Sequence, residues 1–459
     1  MFRNSPQKMG LLQRPDGVKG HEAIQKELME HCRENLAPYK VPKVIEITEA
    51  IPLMAVGKVD KKALRVKVPD HPIQECPGGS GMYFNETHEA FRASIRRFVD
   101  HEINPYMDEW EETTAPLHDL FKKMGDLGFL GIRYDPKYGG QGLDYWYETV
   151  LLEEIGRIHG MGVPTAIAVQ TNMATPAIAA FGSEYLKETY LKPAIAGDMV
   201  TAIAVTEPDA GSDVLAIKSK AMKKDGYYVL NGSKTYITNG TQADFLTLLA
   251  KTSDEPGHHS FGLFIVPTNL PGFHVNKKLD KLGLRSSDTA ELFFDNVKIP
   301  AENVIGDDRE GFIYQMKQFQ HERFAVLPGL CMGVDQMIDM TVDYLRQRIV
   351  YGKPLITKQV LRHRLAGWLM RNEALRQLTY HIVRMKMEGL DATKEVSMGK
   401  YLAGQLISDV ASGCLQMFGG MGFMNETLIS RYFRDARIMS IGGGADEVML
   451  EIIARMEGF

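Results

Sequence analysis

Three short stretches carry residue types that could do chemistry together. The first is Thr206-Glu207-Pro208-Asp209-Ala210-Gly211-Ser212-Asp213. Its proline and glycine fix a bend, and Ser212 and Asp213 can bond backbone, so it reads first as a turn. Turns of small hydroxyl residues also expose backbone N–H groups, which suits a phosphate or the edge of a flavin. The second is Gln320-His321-Glu322-Arg323, a carboxylate beside a guanidinium within a helical pattern. A lone helical glutamate is ordinarily a solvated residue. Buried in an apolar, water-poor site its pKa rises toward neutrality, which is what a general base at neutral pH needs. The third is Ile441-Gly442-Gly443-Gly444-Ala445-Asp446-Glu447, which offers Glu447 and Asp446 as rival carboxylates.

Three blocks of structure must position these stretches. From Asn85, a candidate N-cap, Phe91, Ile95, Phe98 and Val99 fall on one helical face. Helical periodicity continues over 117–127, 148–158, 175–181 and 185–195, interrupted by Tyr138-Gly139-Gly140-Gln141-Gly142. After Asp198 the period falls to about two. Tyr227-Tyr228-Val229-Leu230, then Asn231-Gly232, then Thr235-Tyr236-Ile237-Thr238 predicts a hairpin turning at Asn-Gly. Further strands are expected over 245–250, 261–267 and 291–294, as a compact antiparallel unit. From Gly311 helices return over 314–326, 332–348, 359–387 and 397–417. Helices, strands and helices segregated in this order predict an α+β fold, not alternating βαβ units. Gly140-Gln141-Gly142 and Gly442-Gly443-Gly444 therefore lack the strand–turn–helix setting of a dinucleotide-binding fingerprint.

The front of the chain is separate in character. Ile24, Leu28, Cys32 and Leu36 make one apolar helical stripe, and Val44-Ile45-Glu46-Ile47 is strand-like. Pro77-Gly78-Gly79-Ser80-Gly81 reads as a linker. With 459 residues the chain has ample core for several domains. A net charge of −5 offers no basic field for nucleic acid or anionic lipid. Cys32, Cys76, Cys331 and Cys414 are too dispersed for a disulfide scaffold or zinc ribbon, and no metal centre is expected. No apolar run reaches the ~18 residues of a membrane span, and no secretory apolar region opens the chain. A cytoplasmic location is expected. The alternative is the mitochondrial matrix, because Arg3, Lys8, Arg14 and Lys19 give a faint transit-peptide look.

The segment Thr206–Asp213, followed by Tyr236-Ile237-Thr238, resembles the flavin-binding signature of acyl-CoA dehydrogenases. Further matches keep that family's order. They are Tyr138-Gly139-Gly140-Gln141-Gly142-Leu143, Asp288-Thr289-Ala290-Glu291-Leu292-Phe293-Phe294 and Arg348-Ile349-Val350-Tyr351-Gly352-Lys353 with Gln359. Gln416-Met417-Phe418-Gly419-Gly420-Met421-Gly422 and Arg434-Asp435-Ala436-Arg437 close the series. The resemblance covers about 83–459. It implies a helical N-terminal domain (83–198), a central β-barrel (199–305) and a C-terminal four-helix bundle (306–459), with FAD between barrel and bundle. It implies an FAD-dependent dehydrogenation of an acyl-CoA to the trans-2-enoyl-CoA, as in β-oxidation. Electrons would pass to an electron-transfer flavoprotein, and the chain would assemble as a dimer or tetramer. The alternative is a flavin oxidase or monooxygenase of the same fold.

Residue by residue, the resemblance implies that Thr206 and Ser212 bond polar atoms of the flavin, Tyr236 packs on its ring and Thr238 bonds near N5. Tryptophan often stands where Tyr236 does. Arg348 would pair with the pyrophosphate. Gln359, Gln416, Gly419 and Gly420 would hold the adenosine half, several of them toward a neighbouring subunit. Ala445 and Glu447 fall at the flavin end, Ala445 where the family has threonine. The family's base is a glutamate either in the loop before the last helix or on a bundle helix. Aligning Glu447-Val448-Met449 with the family's closing Glu-Ile-Met leaves Gly443 at the loop position, so Glu322 is the expected base, as in long-chain and isovaleryl members. The backbone N–H of Gly443 would polarise the thioester carbonyl. Ser212, Gln320, His321, Arg323 and Gly444 would line the substrate. Gly442, where the family has tyrosine, suits a long or branched acyl chain.

Residues 20–65 resemble something else, the C-terminal end of an AMP-forming acyl-CoA synthetase. The match is Cys32-Arg33-Glu34-Asn35-Leu36-Ala37-Pro38-Tyr39-Lys40-Val41-Pro42-Lys43 and Pro52-Leu53-Met54-Ala55-Val56-Gly57-Lys58-Val59-Asp60. Lys58 matches that family's adenylation lysine. The ATP loop has no counterpart, so no ligase activity is expected. Residues 1–75, joined through 76–82, read as a fusion remnant or a misjoined reading frame.

Overall fold

The computed structural model describes residues 83–459 and, from the front segment, 9–13, 26, 29–31 and 44–48. The chain divides into two compact units, Met1–Gly81 and Met82–Phe459. In the front unit β1 (Met9–Gln13) pairs in parallel with β2 (Val44–Thr48). β2 is the expected strand, while β1 has too little alternation to announce itself. Lys58 and the expected linker lie outside the described residues.

The second unit opens with α1 (Glu86–Phe98). Asn85 Oδ1 accepts the N–H groups of Thr87 and His88 at 3.1 Å each, and His88 Nδ1 accepts that of Asn85 at 3.1 Å. These bonds satisfy donors that the helix itself cannot pair. Replacing Asn85 by Ala is expected to cost about 1 kcal/mol, read as a lower melting midpoint. An unchanged midpoint would show the cap to be energetically idle. Among the helices that follow are α2 (Leu117–Asp126), α3 (Tyr145–Ile155), α4 (Gly162–Ala168) and α5 (Pro176–Phe181).

The chain then forms a seven-stranded sheet. Its strands are β3 (Thr201–Ala204), β4 (Lys220–Lys224), β5 (Tyr227–Thr238), β6 (Phe245–Lys251), β7 (Phe261–Pro267), β8 (Phe273–Lys278) and β9 (Thr289–Pro300). Their order is β3-β6-β4-β5-β9-β8, with β7 paired to β6. Two expectations fail here. The sheet is mixed, because β3 and β6 run parallel across the intervening β4–β5 pair. The hairpin also does not turn at Asn231-Gly232. It turns at Asp225-Gly226, where Gly226 has φ +74°. β5 runs on through Asn231-Gly232 with a bulge against β9, and Asn231 Oδ1 accepts the Asn296 N–H at 2.8 Å. The extra residue of that bulge is in β9, where Asp295 and Asn296 stand opposite Asn231, so Asn231-Gly232 marks a break in the ladder and not a turn.

Helices return as α6 (Gly311–Gln347), α7 (Gln359–Met387), α8 (Thr393–Phe418), α9 (Leu428–Ala436) and α10 (Asp446–Glu457). α6 is one helix where two segments are expected. It continues through Pro328, where Leu327, Pro328, Leu330 and Cys331 are all buried. Packing on both sides outweighs the lost backbone hydrogen bond. Beside it α6 touches the end of α3: a Cβ on Gly156 would lie 2.6 Å from the Gly329 carbonyl oxygen. One apolar cluster joins the first helices to the last, through Ile95, Phe121, Leu152, Phe324, Val334, Trp368, Ile407 and Tyr432. The sheet has its own, around Tyr228, Leu230, Phe264, Leu292 and Phe294. α6 is thus clamped between domains, a rigid support for side chains it presents. Among the described residues no helix is long and apolar enough to cross a membrane.

Candidate active site

Glu322 and Arg323 lie in the first half of α6. Opposite them the chain turns between a short helix ending at Ser440 and α10, with Gly443 at φ +67° and Gly444 at φ +104°. Both glycines adopt a conformation that other residues enter only with strain. A Cβ on Gly443 would stand 3.3 Å from Glu322 Oε1. The carboxylate thus fills the space that a side chain at 443 would need. Arg323 Nε donates to the Gly443 carbonyl at 3.1 Å. Burial pushes the Glu322 carboxyl up to about 7, against the opposing pull of Arg323 and Lys400. The same burial lowers the Arg323 guanidinium, with Glu322 acting the other way. This is a carboxylate able to accept a proton near neutrality, facing a bare loop.

His321 turns away from this loop. Its Nε2 lies 3.0 Å from Glu148 Oε1, 3.1 Å from Asn172 Nδ2 and 3.2 Å from Arg133 Nη2, all in the part of the chain that precedes the sheet. One residue along a helix rotates a side chain by about 100°, which separates His321 from Glu322. Gln320 is half-buried, and its Oε1 has no partner among the described residues.

On the sheet, the Thr206 turn and the end of β5 meet: the Thr235 N–H donates to the Thr206 carbonyl at 2.9 Å. Tyr236 follows with φ +61° and is 70% exposed, an unusual setting for a large aromatic ring. Thr238 is partly exposed at the strand end, and Ser212 is exposed at the tip of the turn. Glu207 braces the turn from beneath. Its carboxylate accepts the N–H groups of Lys218 and Ser219 at 2.5 and 3.0 Å and the Lys234 ammonium at 2.9 Å. An exposed aromatic face beside hydroxyls and a braced turn fits a flat heteroaromatic ring such as the flavin of FAD.

The remaining candidates lie elsewhere. Arg348 ends α6, Gln416 and Gly419 end α8, and the Tyr344 hydroxyl ties these ends by donating to the Phe418 carbonyl at 3.1 Å. Arg348, Gln359, Gln416, Gly419 and Gly420 are all exposed. At ~1.5 Å per residue, Glu322 and Arg348 stand about 39 Å apart along α6. Ala445 caps α10 without a side-chain bond, and Glu447 points to solvent in its first turn.

The comparisons with known proteins agree in one direction. Models of the acyl-CoA dehydrogenase N-terminal, middle and C-terminal domains match residues 85–198, 202–297 and 309–457. An acyl-CoA dehydrogenase of Bacillus subtilis (strain 168) is 36% identical over 82% of this chain and 98% of its own length.

The chain belongs to the acyl-CoA dehydrogenase family.

Its class of activity is that family's, the oxidation of an acyl-CoA thioester. The mitochondrial long-chain specific acyl-CoA dehydrogenase of Rattus norvegicus is 35% identical, covering 81% of this chain and 86% of that protein. The solved acyl-CoA dehydrogenase of Geobacillus kaustophilus superposes with a TM-score of 0.80 at 36% identity, covering 82% of this chain and 99% of that one. In the front unit, the C-terminal domain of AMP-binding enzymes matches residues 11–58.

Two groups at these sites escape a reading of the sequence, Lys234 and Lys400. Lys234 is fully buried under the Thr206 turn. Lys400 is 2% exposed beside the glycine loop. The signal for Lys400 is its spacing: with Val396, Ala403 and Ile407 it occupies the buried stripe of α8. A lysine on an apolar stripe has a partner to find.

Proposed function

We propose that Glu322 is the base that removes the α-proton of an acyl-CoA thioester. The observation that carries this reading is the half-buried, desolvated carboxylate, raised to about 7, in close approach to Gly443. Bound FAD would supply the hydride acceptor for the β-carbon. Thr206, Ser212, Tyr236 and Thr238 would hold its flavin, with Ala445 and Glu447 at the same end. The Gly443 N–H would bond the thioester oxygen as charge builds there. Arg323, Gly444 and Gln320 would line the thioester and its pantetheine arm. His321 contributes from behind, by tying α6 to Glu148 and Asn172.

Arg348 stands about 39 Å from Glu322 along α6, and Gln416, Gly419 and Gly420 lie at the end of α8 tied to that end of α6. They would therefore serve the pyrophosphate and adenosine of a neighbouring subunit's FAD, in a homodimer or homotetramer. Gly442, where the family has tyrosine, favours a long or branched acyl chain. An electron-transfer flavoprotein is the expected acceptor, in the cytoplasm. A flavin monooxygenase has no need of a base placed and tuned as Glu322 is, whereas an oxidase would share the α-proton step and differ only in giving its electrons to oxygen.

The test is an anaerobic titration of the flavin-loaded protein with a long-chain acyl-CoA, following visible absorbance. Bleaching of the flavin is the expected result. No bleaching with long, short or branched thioesters would end the dehydrogenase reading and favour the monooxygenase, and rapid recolouring on admission of air after bleaching would favour the oxidase.

A further inference from the structure

Lys400 lies on α8, away from every stretch that the sequence offers for chemistry, yet it reaches the glycine loop. Its Nζ donates to the Met439 carbonyl at 2.6 Å and lies 3.4 Å from the Gly444 carbonyl. A Cβ on Gly443 would be 3.6 Å from Lys400 Cε. One turn further along α8, Gly404 lets the same loop settle onto the helix: a Cβ there would be 3.0 Å from the Met439 carbonyl oxygen and 2.9 Å from Ser440 Oγ. The loop is therefore held from two helices, by Lys400 at residues 439 and 444 and by Arg323 at 443. Carbonyls fixed by cations fix the loop's peptide planes, and with them the directions of its N–H groups.

The charges around Lys400 are few. Asp446 at the start of α10 and Glu322 on α6 favour its charged form, while burial and Arg323 oppose it. Glu322 in turn faces Arg323 and Lys400. Lys400 is thus shared between the loop that receives the thioester and the carboxylate that receives the proton.

We propose that Lys400 is a positioning residue for the reaction, pinning the Gly442–Gly444 loop and standing as the second cation beside Glu322 without touching substrate. The inference rests on Glu322 being the base, and its test is readable apart from that. Lys400→Met removes both the pin and the charge. Lys400→Gln keeps a donor for the Met439 carbonyl and removes the charge alone, and it carries the test if the Met variant does not fold. Loss of the cation leaves the Glu322 carboxylate less stabilised, so its proton is held to higher pH. An infrared titration of protein labelled with 13C-glutamate, with Glu322→Gln identifying the band, should place the carboxyl transition about one pH unit higher in both variants. The acid limb of kcat/KM should move up by the same amount, and Lys400→Met should also lower kcat more than Lys400→Gln does. A carboxyl transition unmoved in folded variants overturns the proposal, whatever happens to activity. A wild type in which no thioester bleaches the flavin would instead count against the reading of Glu322 as base, leaving the infrared result to judge Lys400.

Discussion

Glu322→Gln is expected to lower kcat by ~10³–10⁴-fold, the upper range for loss of a general base, and at the same time to make the protein more stable above pH 7. The two effects have one cause. A buried carboxyl whose pKa rises from 4.5 to about 7 holds its proton more tightly in the folded chain than in the unfolded one. Between those values the folded state binds the extra proton, so stability falls as pH rises through that window. Above it the folded protein carries a buried negative charge that costs about 2–4 kcal/mol relative to the protonated form. Glutamine has the shape of the protonated form and never ionises. The variant should match the wild type near pH 4 and exceed it at pH 8, in denaturant unfolding followed at both values. A variant inactive but equally stable at pH 8 would mean that the carboxyl is not desolvated as described. One that remains active would move the base elsewhere, with Glu447 next to be tried.

Lys234→Met should destabilise the protein by ~3–5 kcal/mol, among the largest losses expected from one side chain. Lys234 and Glu207 are buried together, and Lys234 also donates to the Val205 carbonyl at 2.8 Å. Burial draws the Lys234 ammonium down to about 8, and Glu207 resists, so the lysine is still charged at neutral pH. Removing it leaves the Glu207 carboxylate buried with the N–H groups of Lys218 and Ser219 and no counter-charge. Because Glu207 braces the Thr206 turn, flavin retention after dialysis should fall with stability. Adding Glu207→Gln should restore a good part of the loss, since the stranded charge is then gone. A loss below about 1 kcal/mol for Lys234→Met would show that water reaches the pair.

The sequence makes some of this legible and conceals the rest for identifiable reasons. Asn85, the helix at 359–387 and the strands at 245–250 and 261–267 announce themselves because local period and cap chemistry decide them. Glu322 could be singled out because no carboxylate stands at Gly443, and the structure brings the two together, with a Cβ at 443 falling 3.3 Å from Glu322 Oε1. The parallel pairing of β3 with β6 is a long-range choice with no local mark. Asn231-Gly232 misleads because the pair sits at a break in the ladder, opposite the bulge of β9, and not at a turn. His321 sits next to Glu322 in sequence, but helix geometry sends it to Glu148. Lys234 and Lys400 are ordinary letters until folding encloses them.

The near-contact between Glu322 and residue 443 also bears on how such a site can change over generations. With Glu322 as the proposed base, a carboxylate on the helix and a side chain on the loop crowd one another, so one placement disfavours the other. A substitution adding a side chain at 443 meets the helix carboxylate, and one removing Glu322 leaves no base. Each single step is a loss, and only the pair restores function. The base could then migrate only through a handicapped intermediate, or in a second gene copy relieved of duty. Helix-based and loop-based enzymes should on this geometry form separate lineages with few forms between them.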